Sequence, residues 1–140
     1  MDKKDCMYCD NNQKREGLMV YVADLKVSKL YLLKEQTYFG RCVVAYNHHN
    51  IELPELTPDE SNKLMDDVKQ AGRAITKAVN PDKVNYGMYG DLLPHLHVHL
   101  VPKKKDGHTF GAPFEMSVDP PRYLSEQELD SLMQKIKDNL

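Results

Sequence analysis

One short segment, residues 95–100, constrains the fold and the chemistry of this chain more than any other part of the sequence. It reads His-Leu-His-Val-His-Leu, so histidine and aliphatic residues alternate. Because successive side chains of a β-strand point to opposite faces, this period predicts a strand over His95–Val101. The imidazoles of His95, His97 and His99 are expected to share one face of the sheet, and the aliphatic side chains are expected to pack on the other.

The density of histidine in this segment favours a chemical role. Three of the six histidines in the 140-residue chain fall within it, which is unusual for a sheet surface that is merely polar. Two roles fit the residues. Neutral imidazoles are common zinc ligands, which predicts a metal cluster, and an imidazole is also a nucleophile, which predicts covalent catalysis. The residues of the segment alone leave both roles open.

The other periodicities predict an α+β fold in a single domain over residues 1–140. Four further strands are predicted, at 18–24, 28–33, 41–46 and 83–88. Capping boxes that begin at Thr57 and Ser125 predict two helices, and the first should end near Asn80 because a proline follows. We therefore expect an antiparallel sheet of about five strands with two main helices on one face.

Composition argues against two classes of partner. The net charge is −2 at pH 7, so the chain has no overall basic field to attract nucleic acid. The run Lys103–Lys105 is more typical of a solvated loop than of a polyanion site. No stretch approaches the roughly 20 apolar residues that span a bilayer, and residues 1–5 lack the apolar run of a signal peptide. We expect a cytoplasmic protein that binds neither nucleic acid nor membrane.

The surroundings of the histidine segment resemble those of the histidine triad (HIT) superfamily. Residues 95–101 match its signature of three histidines that alternate with apolar residues. The stretch 40–49 is similar to the family's stretch from a Gly-His pair to a closing histidine. Upstream of the triad, the residues that are similar to one branch of the family are Asn85, Tyr86, Gly90, Asp91 and Pro94. The resemblance covers roughly residues 6–103 and is strongest to bacterial hydrolases of dinucleoside polyphosphates and nucleoside phosphoramidates.

The resemblance implies a nucleotide hydrolase or transferase that acts at the α-phosphate of a purine nucleotide conjugate. By position, His97 is the nucleophile that forms a covalent nucleotidyl-imidazole, His99 contacts the phosphate or leaving group as a donor, and His95 supports His97. The attacking nitrogen must be unprotonated, so the other nitrogen of His97 should donate to a backbone carbonyl. The implied substrate-binding residues are Asn85, Gly90, Asp91 and His99. No carboxylate cluster for magnesium and no glycine-rich phosphate loop is visible, so we expect the chemical step to need no metal.

Several positions depart from the family pattern. Asp91 stands where asparagine or glutamine is usual, and a carboxylate repels a phosphate unless it faces away or is protonated. Arg41 replaces the histidine of the Gly-His pair. Tyr46 and Asn47 replace a Pro-Lys pair, and Leu33 stands where a ribose-binding aspartate is common. These departures bear on the nucleoside pocket more than on the reaction.

The pair Cys6-x-x-Cys9 supplies two of the four ligands of a tetrahedral zinc site. Some members of the HIT superfamily complete such a site with the closing histidine and the first triad histidine, which are His49 and His95 in this sequence. The resemblance thus implies a structural zinc on these four residues, with His48 as a competing ligand. The alternative is that the two cysteines are free thiols in a reducing compartment.

Two other functions stay open from the sequence. The departures at Asp91 and Leu33 are compatible with a nucleotide-binding or scaffold protein that has little turnover. An enzyme with zinc on all three imidazoles is the other alternative. The resemblance also implies a homodimer, because members of the family usually pair through their helix and a strand edge.

Overall fold

The computed structural model describes residues 2–9 and 13–140, so Met1 and residues 10–12 lie outside the described part. Within that part, the helices are α1 (Gln13–Leu18), α2 (Pro58–Val79) and α3 (Glu126–Asp138), with 3-10 turns at Lys3–Asp5 and Leu53–Glu55. The strands are β1 (Met19–Asp24), β2 (Ser28–Leu33), β3 (Cys42–Tyr46), β4 (Lys83–Gly87) and β5 (His97–Lys103).

The strands form one antiparallel sheet in the order β1-β2-β3-β5-β4. The α+β prediction and the expected five-stranded sheet are therefore confirmed. Because β5 lies between β3 and β4, its histidines are inside the sheet rather than on an exposed edge. The six-residue helix α1, which the sequence did not predict, ends at Leu18 and delays the start of β1 by one residue.

The histidine strand begins two residues later than predicted, at His97 rather than His95. The backbone just before it is used elsewhere: the N–H of His95 donates to the Leu93 carbonyl, and the N–H of Leu96 donates to the Asn50 carbonyl. The first ladder pair of β5 with β3 joins His97 to Ala45. His95 therefore belongs to a turn that leads into the strand, which separates it from the other two histidines.

The apolar face of the sheet packs against α2 and α3. Both helices begin at the capping boxes read from the sequence, where the Thr57 and Ser125 hydroxyls accept from the backbone N–H three residues later. Helix α2 ends at Val79, and the next residue, Asn80, caps it with a left-handed backbone (φ 47°). The largest core side chains on this face include Leu30, Leu32, Val44, Leu64, Ile75, Leu100 and Ile136. Cys42, 0% exposed, is also in this core, as the apolar strand around it predicts.

A buried carboxylate joins α2 to the β1–β2 hairpin. Asp67 is 1% exposed, although it lies on an apolar helix face. Its oxygens accept from the backbone N–H groups of Lys26 (3.0 Å) and Val27 (2.8 Å) and from the Ser28 hydroxyl (2.7 Å). These bonds satisfy the buried charge and fix the hairpin turn on the helix.

The lysine run at the end of β5 is not simply a solvated loop, so that prediction is wrong for its first member. Lys103 is the last residue of β5 and is 4% exposed. Its ammonium donates to the carbonyls of Thr109 (3.0 Å) and Ala112, and thereby holds the start of the long loop that precedes α3. None of the described helices is long and apolar enough to cross a membrane.

Candidate active site and metal centre

The sheet face opposite the helices borders a cavity of about 680 Å³. Irregular segments cover this face: residues 7–8 on one side and residues 114–118 on the other. His97 and His99 both line the cavity, while His95 does not. The apolar lining includes Met7, Tyr8, Leu33, Val43, Tyr89 and Phe114. The cavity is large enough for a nucleotide-sized ligand and is mostly apolar, as small-molecule sites usually are.

A backbone carbonyl fixes the proton of the His97 ring. The Nδ1 of His97 lies 2.5 Å from the carbonyl oxygen of His95. A carbonyl only accepts, so Nδ1 carries the hydrogen and Nε2 keeps its lone pair. Burial lowers the pKa of His97, although this hydrogen bond opposes the shift. The ring is therefore neutral at pH 7, with one nitrogen available for attack.

The third histidine of the segment has the opposite arrangement. A guanidinium nitrogen of Arg41 lies 3.3 Å from the Nδ1 of His99. Arginine only donates, so Nδ1 of His99 accepts and the ring hydrogen stands on Nε2. Burial, together with the charge of Arg41 and the neighbouring His97, lowers the pKa of His99 to about 3. His99 is thus a neutral donor beside a ring that is a neutral acceptor.

Arg41 is the largest fully buried side chain of the molecule as described, at 1% exposure. It also donates to the carbonyls of Glu115 (3.3 Å) and Met116 (3.1 Å), and its guanidinium carbon lies 5.3 Å from the centre of the Phe114 ring. Burial lowers the pKa of this guanidinium, but arginine stays charged at any physiological pH. Sequence reasoning noted Arg41 only as a departure and missed its contact with His99. The position of a cation directly after Gly40 at the start of a strand was the only signal.

The residues expected to hold phosphate are only partly brought together. Gly90 and Asp91 line the cavity, and Gly90 has a left-handed φ of 128° that favours glycine. Asp91 is exposed. Asn85, on β4 opposite Val101, does not line this cavity. Leu33, at the position where the family carries an aspartate, lines the apolar part.

Four side chains converge beside the cavity into a metal-ligand set. The sulfur and nitrogen atoms of Cys6, Cys9, His49 and His95 all lie within 4.8 Å of one another. The Cys9 sulfur is 3.1 Å from the Nδ1 of His49, and both sulfurs are 3.4 Å from the Nδ1 of His95. These are the four residues that the resemblance implied. His48 is not part of the set, and its ring instead meets that of Tyr46.

The geometry of His95 suits a ligand better than a catalyst. Its Nε2 lies 2.7 Å from the carbonyl oxygen of Tyr46, so this nitrogen carries the hydrogen and Nδ1 presents a lone pair to the thiols. Such a second hydrogen bond is the usual support of a metal-bound imidazole. Two thiols and two imidazoles are a donor set that matches zinc. An enzyme with zinc on all three imidazoles would need His95, His97 and His99 in one cluster. The described residues show no such cluster.

The family model of the HIT domain matches residues 21–106. The chain is 34% identical over 58 residues to the bis(5'-nucleosyl)-tetraphosphatase (asymmetrical) of Schizosaccharomyces pombe. This match covers 38% of the chain and 32% of the relative, so it spans about a third of the relative's length.

Solved structures resemble the whole chain. A histidine triad protein from Bradyrhizobium japonicum superposes with a TM-score of 0.83 at 20% identity, over 93% of this chain and 96% of that one. A zinc-bound histidine triad family protein from Mycobacterium smegmatis gives a TM-score of 0.67 at 15% identity, over 99% and 94% of the two chains. At these identities the likeness establishes a shared fold.

Proposed function

The chain belongs to the HIT domain family, and from this premise we propose that it is a nucleotidyl hydrolase or transferase that acts at the α-phosphate of a purine nucleotide conjugate. His97 is its nucleophile. The observation that carries the proposal is the hydrogen bond from Nδ1 of His97 to the His95 carbonyl, which leaves Nε2 unprotonated on a ring that borders the cavity. The name of the yeast relative, a dinucleoside tetraphosphatase, supports nucleotide hydrolysis in general.

The reaction proceeds in two displacements at phosphorus. The Nε2 lone pair of His97 forms a P–N bond, and the bond from phosphorus to the leaving group breaks with its electron pair on the leaving group. The imidazolium that results is stabilised because Nδ1–H still donates to the His95 carbonyl. Water then attacks phosphorus, the P–N electron pair returns to Nε2, and a water proton passes to solvent. A hydrolase results when water attacks, and a transferase when another acceptor does.

Neighbouring groups stabilise the charge that develops on the phosphate oxygens. Nε2–H of His99 is one donor, and the backbone around Gly90 is a second. Removing one such donor commonly costs about 10²–10³ in rate. Asn85 and Asp91 are weaker candidates for contact with the phosphate. Asn85 lies outside the cavity lining, and the carboxylate of Asp91 must face away from the phosphate.

The test is mass spectrometry of the protein after brief incubation with diadenosine tetraphosphate, diguanosine tetraphosphate, adenosine 5'-phosphoramidate or its guanosine analogue. We expect a nucleotidyl adduct that maps to His97, is absent in His97→Asn, and persists in His108→Asn, which alters a loop histidine outside the cavity lining. The base that gives the faster adduct identifies the nucleoside preference. Full turnover by His97→Asn overturns the proposal.

Binding without turnover is the second candidate, and one observation favours it. Asp91, a carboxylate, lines the cavity where the phosphate is expected, and Asn85 does not. Micromolar binding of the same nucleotides by calorimetry, with no adduct and no cleavage, would support this candidate against the first.

We also propose that Cys6, Cys9, His49 and His95 hold a structural zinc ion. The donor set is closed at four ligands, and when bound the ion supplies charge and cross-linking, with no open position for substrate. The zinc-bound Mycobacterium relative and the convergence of the four side chains support this proposal. In a reducing compartment both thiols stay available as ligands.

Zinc content tests this site. Protein purified without chelator should contain one zinc per chain by inductively coupled plasma mass spectrometry. His49→Asn should lose most of it, whereas the matched variant His48→Asn should retain it, because His48 lies outside the set. Metal-free wild-type protein, prepared in zinc-supplemented medium, would refute the site.

A homodimer is the remaining proposal. β4 is an edge strand of the sheet, and three exposed apolar side chains lie on α2, on β4 and directly after β4: Met65 (46% exposed), Tyr86 (51%) and Met88 (39%). Such a patch next to an open strand edge favours pairing with a second copy. Light scattering after gel filtration should give twice the mass of one chain, and Met65→Glu should reduce it to one.

A further inference from the structure

We propose that Arg41 restricts this site to leaving groups that depart as anions, which means phosphates rather than amines. Arg41 keeps His99 neutral, so that His99 donates a hydrogen bond but cannot act as a general acid. Arg41 is a positioning residue in this scheme, since it acts through His99. The inference rests on the proposed function and narrows its two substrate types to one, the phosphoanhydrides.

The contact between Arg41 and His99 permits only one tautomer of the imidazole. The guanidinium donates to Nδ1 over 3.3 Å, so the ring hydrogen stands on Nε2. A second proton on Nδ1 would face an arginine donor and a buried positive charge. His99 therefore stays neutral well below physiological pH, in keeping with the low pKa given above. Loss of the Nε2 hydrogen would create an imidazolate, which is out of reach in water near pH 7.

The charge of Arg41 is also buried, at 1% exposure. Within the described residues, no carboxylate oxygen lies within the 4.0 Å of an ion pair to its guanidinium. Its Nε is buried and has no hydrogen-bond partner. Burial lowers the pKa of Arg41, and the negative charge of Glu35, which also lines the cavity, opposes this shift without forming an ion pair with Arg41. One carboxylate oxygen of Glu35 accepts from the Thr37 hydroxyl (2.5 Å) and from the backbone N–H of Arg122 (2.9 Å). A buried cation that has hydrogen-bond partners but no ion pair favours an anion in the adjoining cavity.

The two leaving groups make different demands on His99. When a dinucleoside polyphosphate is cleaved, the P–O electron pair leaves on a nucleoside polyphosphate, which is stable as an anion and needs only a hydrogen bond from Nε2–H. When a phosphoramidate is cleaved, the P–N electron pair would leave on an amide anion, so the amine must gain a proton as the bond breaks. A neutral His99 cannot supply that proton, whereas an imidazolium could.

The test compares two probes, diadenosine tetraphosphate and adenosine 5'-phosphoramidate, in the full-length protein. We expect wild type to favour the tetraphosphate in kcat/KM. Arg41→Met, similar in length but without charge or donor, should shift the ratio toward the phosphoramidate by about tenfold or more, because His99 can then take up a proton. Arg41→Lys keeps charge and a donor and should stay near the wild-type ratio. Arg73→Met, on the exposed face of α2, is the control.

The tautomer of His99 is a readout that a purely structural role would not move. Two-bond ¹⁵N–¹H correlation spectra at pH 7 should show Nε2–H and a bare Nδ1 in wild type, and a mixture of tautomers or imidazolium in Arg41→Met. An unchanged substrate ratio in Arg41→Met overturns the proposal. So does a changed ratio with an unchanged tautomer. If Arg41→Met fails to fold, a wild-type His99 with its hydrogen on Nδ1 is sufficient to refute it.

Failure of the proposed function looks different. In that case neither probe is cleaved and no adduct forms on His97, while the tautomer of His99 still responds to Arg41. If adducts form from both probes at similar rates in wild type, the proposed function stands and the selectivity assigned to Arg41 is wrong.

Discussion

The two faces of the sheet bury their side chains to a similar degree, but one face packs against helices and the other borders a cavity. On β5, Leu100 is 0% exposed and packs under α2, while its neighbour His99 is 6% exposed and lines the cavity. Regular helices cover the first face, and irregular segments cover the second. On the helix face, burial removes apolar surface from water. On the cavity face, the buried rings of His97 and His99 make hydrogen bonds that fix which ring nitrogen carries the hydrogen.

The largest expected effect comes from the helix face. Leu100→Ala removes a fully buried side chain from the core, and such truncations cost about 2–5 kcal/mol of unfolding free energy. Urea denaturation measures it, with Leu100→Met as the volume-conserving control, which should cost less than about 1.5 kcal/mol. Folded Leu100→Ala should retain the wild-type kcat. A fall in kcat without a fall in stability would contradict the division between the faces.

The next effect concerns a charged group on the helix face. Asp67→Asn keeps the shape but weakens three hydrogen bonds to the hairpin, and we expect a loss of about 1–3 kcal/mol. Asp66→Asn is the matched control, because Asp66 is exposed and its ion pair with Lys26 contributes little. Equal stabilities of the two variants in thermal unfolding would show that the buried carboxylate does not hold the hairpin.

The cavity face should make stability depend on pH. In the folded protein the pKa of His99 is about 3, below the ordinary value of 6.5, so the unfolded chain binds the proton more tightly. The stabilisation is full above about pH 6.5 and is lost as the pH falls toward 3. Between pH 7 and pH 5, wild type should lose about 1–2 kcal/mol more than His99→Asn does. Parallel pH profiles of the two proteins in urea titrations would refute this.

The smallest expected effect tests a local signal. Thr57→Ala removes the hydroxyl that caps α2 and should cost about 1 kcal/mol. Thr57→Ser retains the cap and should be close to wild type. The midpoint of thermal unfolding reports both, and nucleotide turnover should be unaffected because the cap lies outside the cavity lining. Identical midpoints for the two variants would mean that the cap does not contribute.

The sequence predicted the features that repeat or that are local. The period of two in residues 95–100 assigned Leu100 and His99 to different faces, and the capping boxes located the starts of α2 and α3. The metal-ligand set was implied by the family resemblance rather than by spacing alone. These features depend on residues close in sequence or on a recognised pattern.

The contacts that the sequence did not predict join distant positions. Arg41 meets His99 across 58 positions, and Asp67 meets Ser28 across 39. Periodicity gives the face on which a side chain lies, but its partner depends on strand register and on how loops close over the sheet. The start of β5 was displaced for the same reason, since a carbonyl of the loop at Asn50 captures the backbone just before the strand.

His95 makes two contacts at once, one through its ring and one through its backbone carbonyl. Its ring meets the thiol of Cys6, 89 positions earlier, and its carbonyl holds the proton of His97. During synthesis the cysteines leave the ribosome long before their histidine partner exists. The contact between the ring and the thiol therefore forms only once the early and late parts of the chain have come together. In an unfinished chain the ring of His95 lacks its cysteine partners, so the turn that presents its carbonyl to His97 is completed only with the full fold.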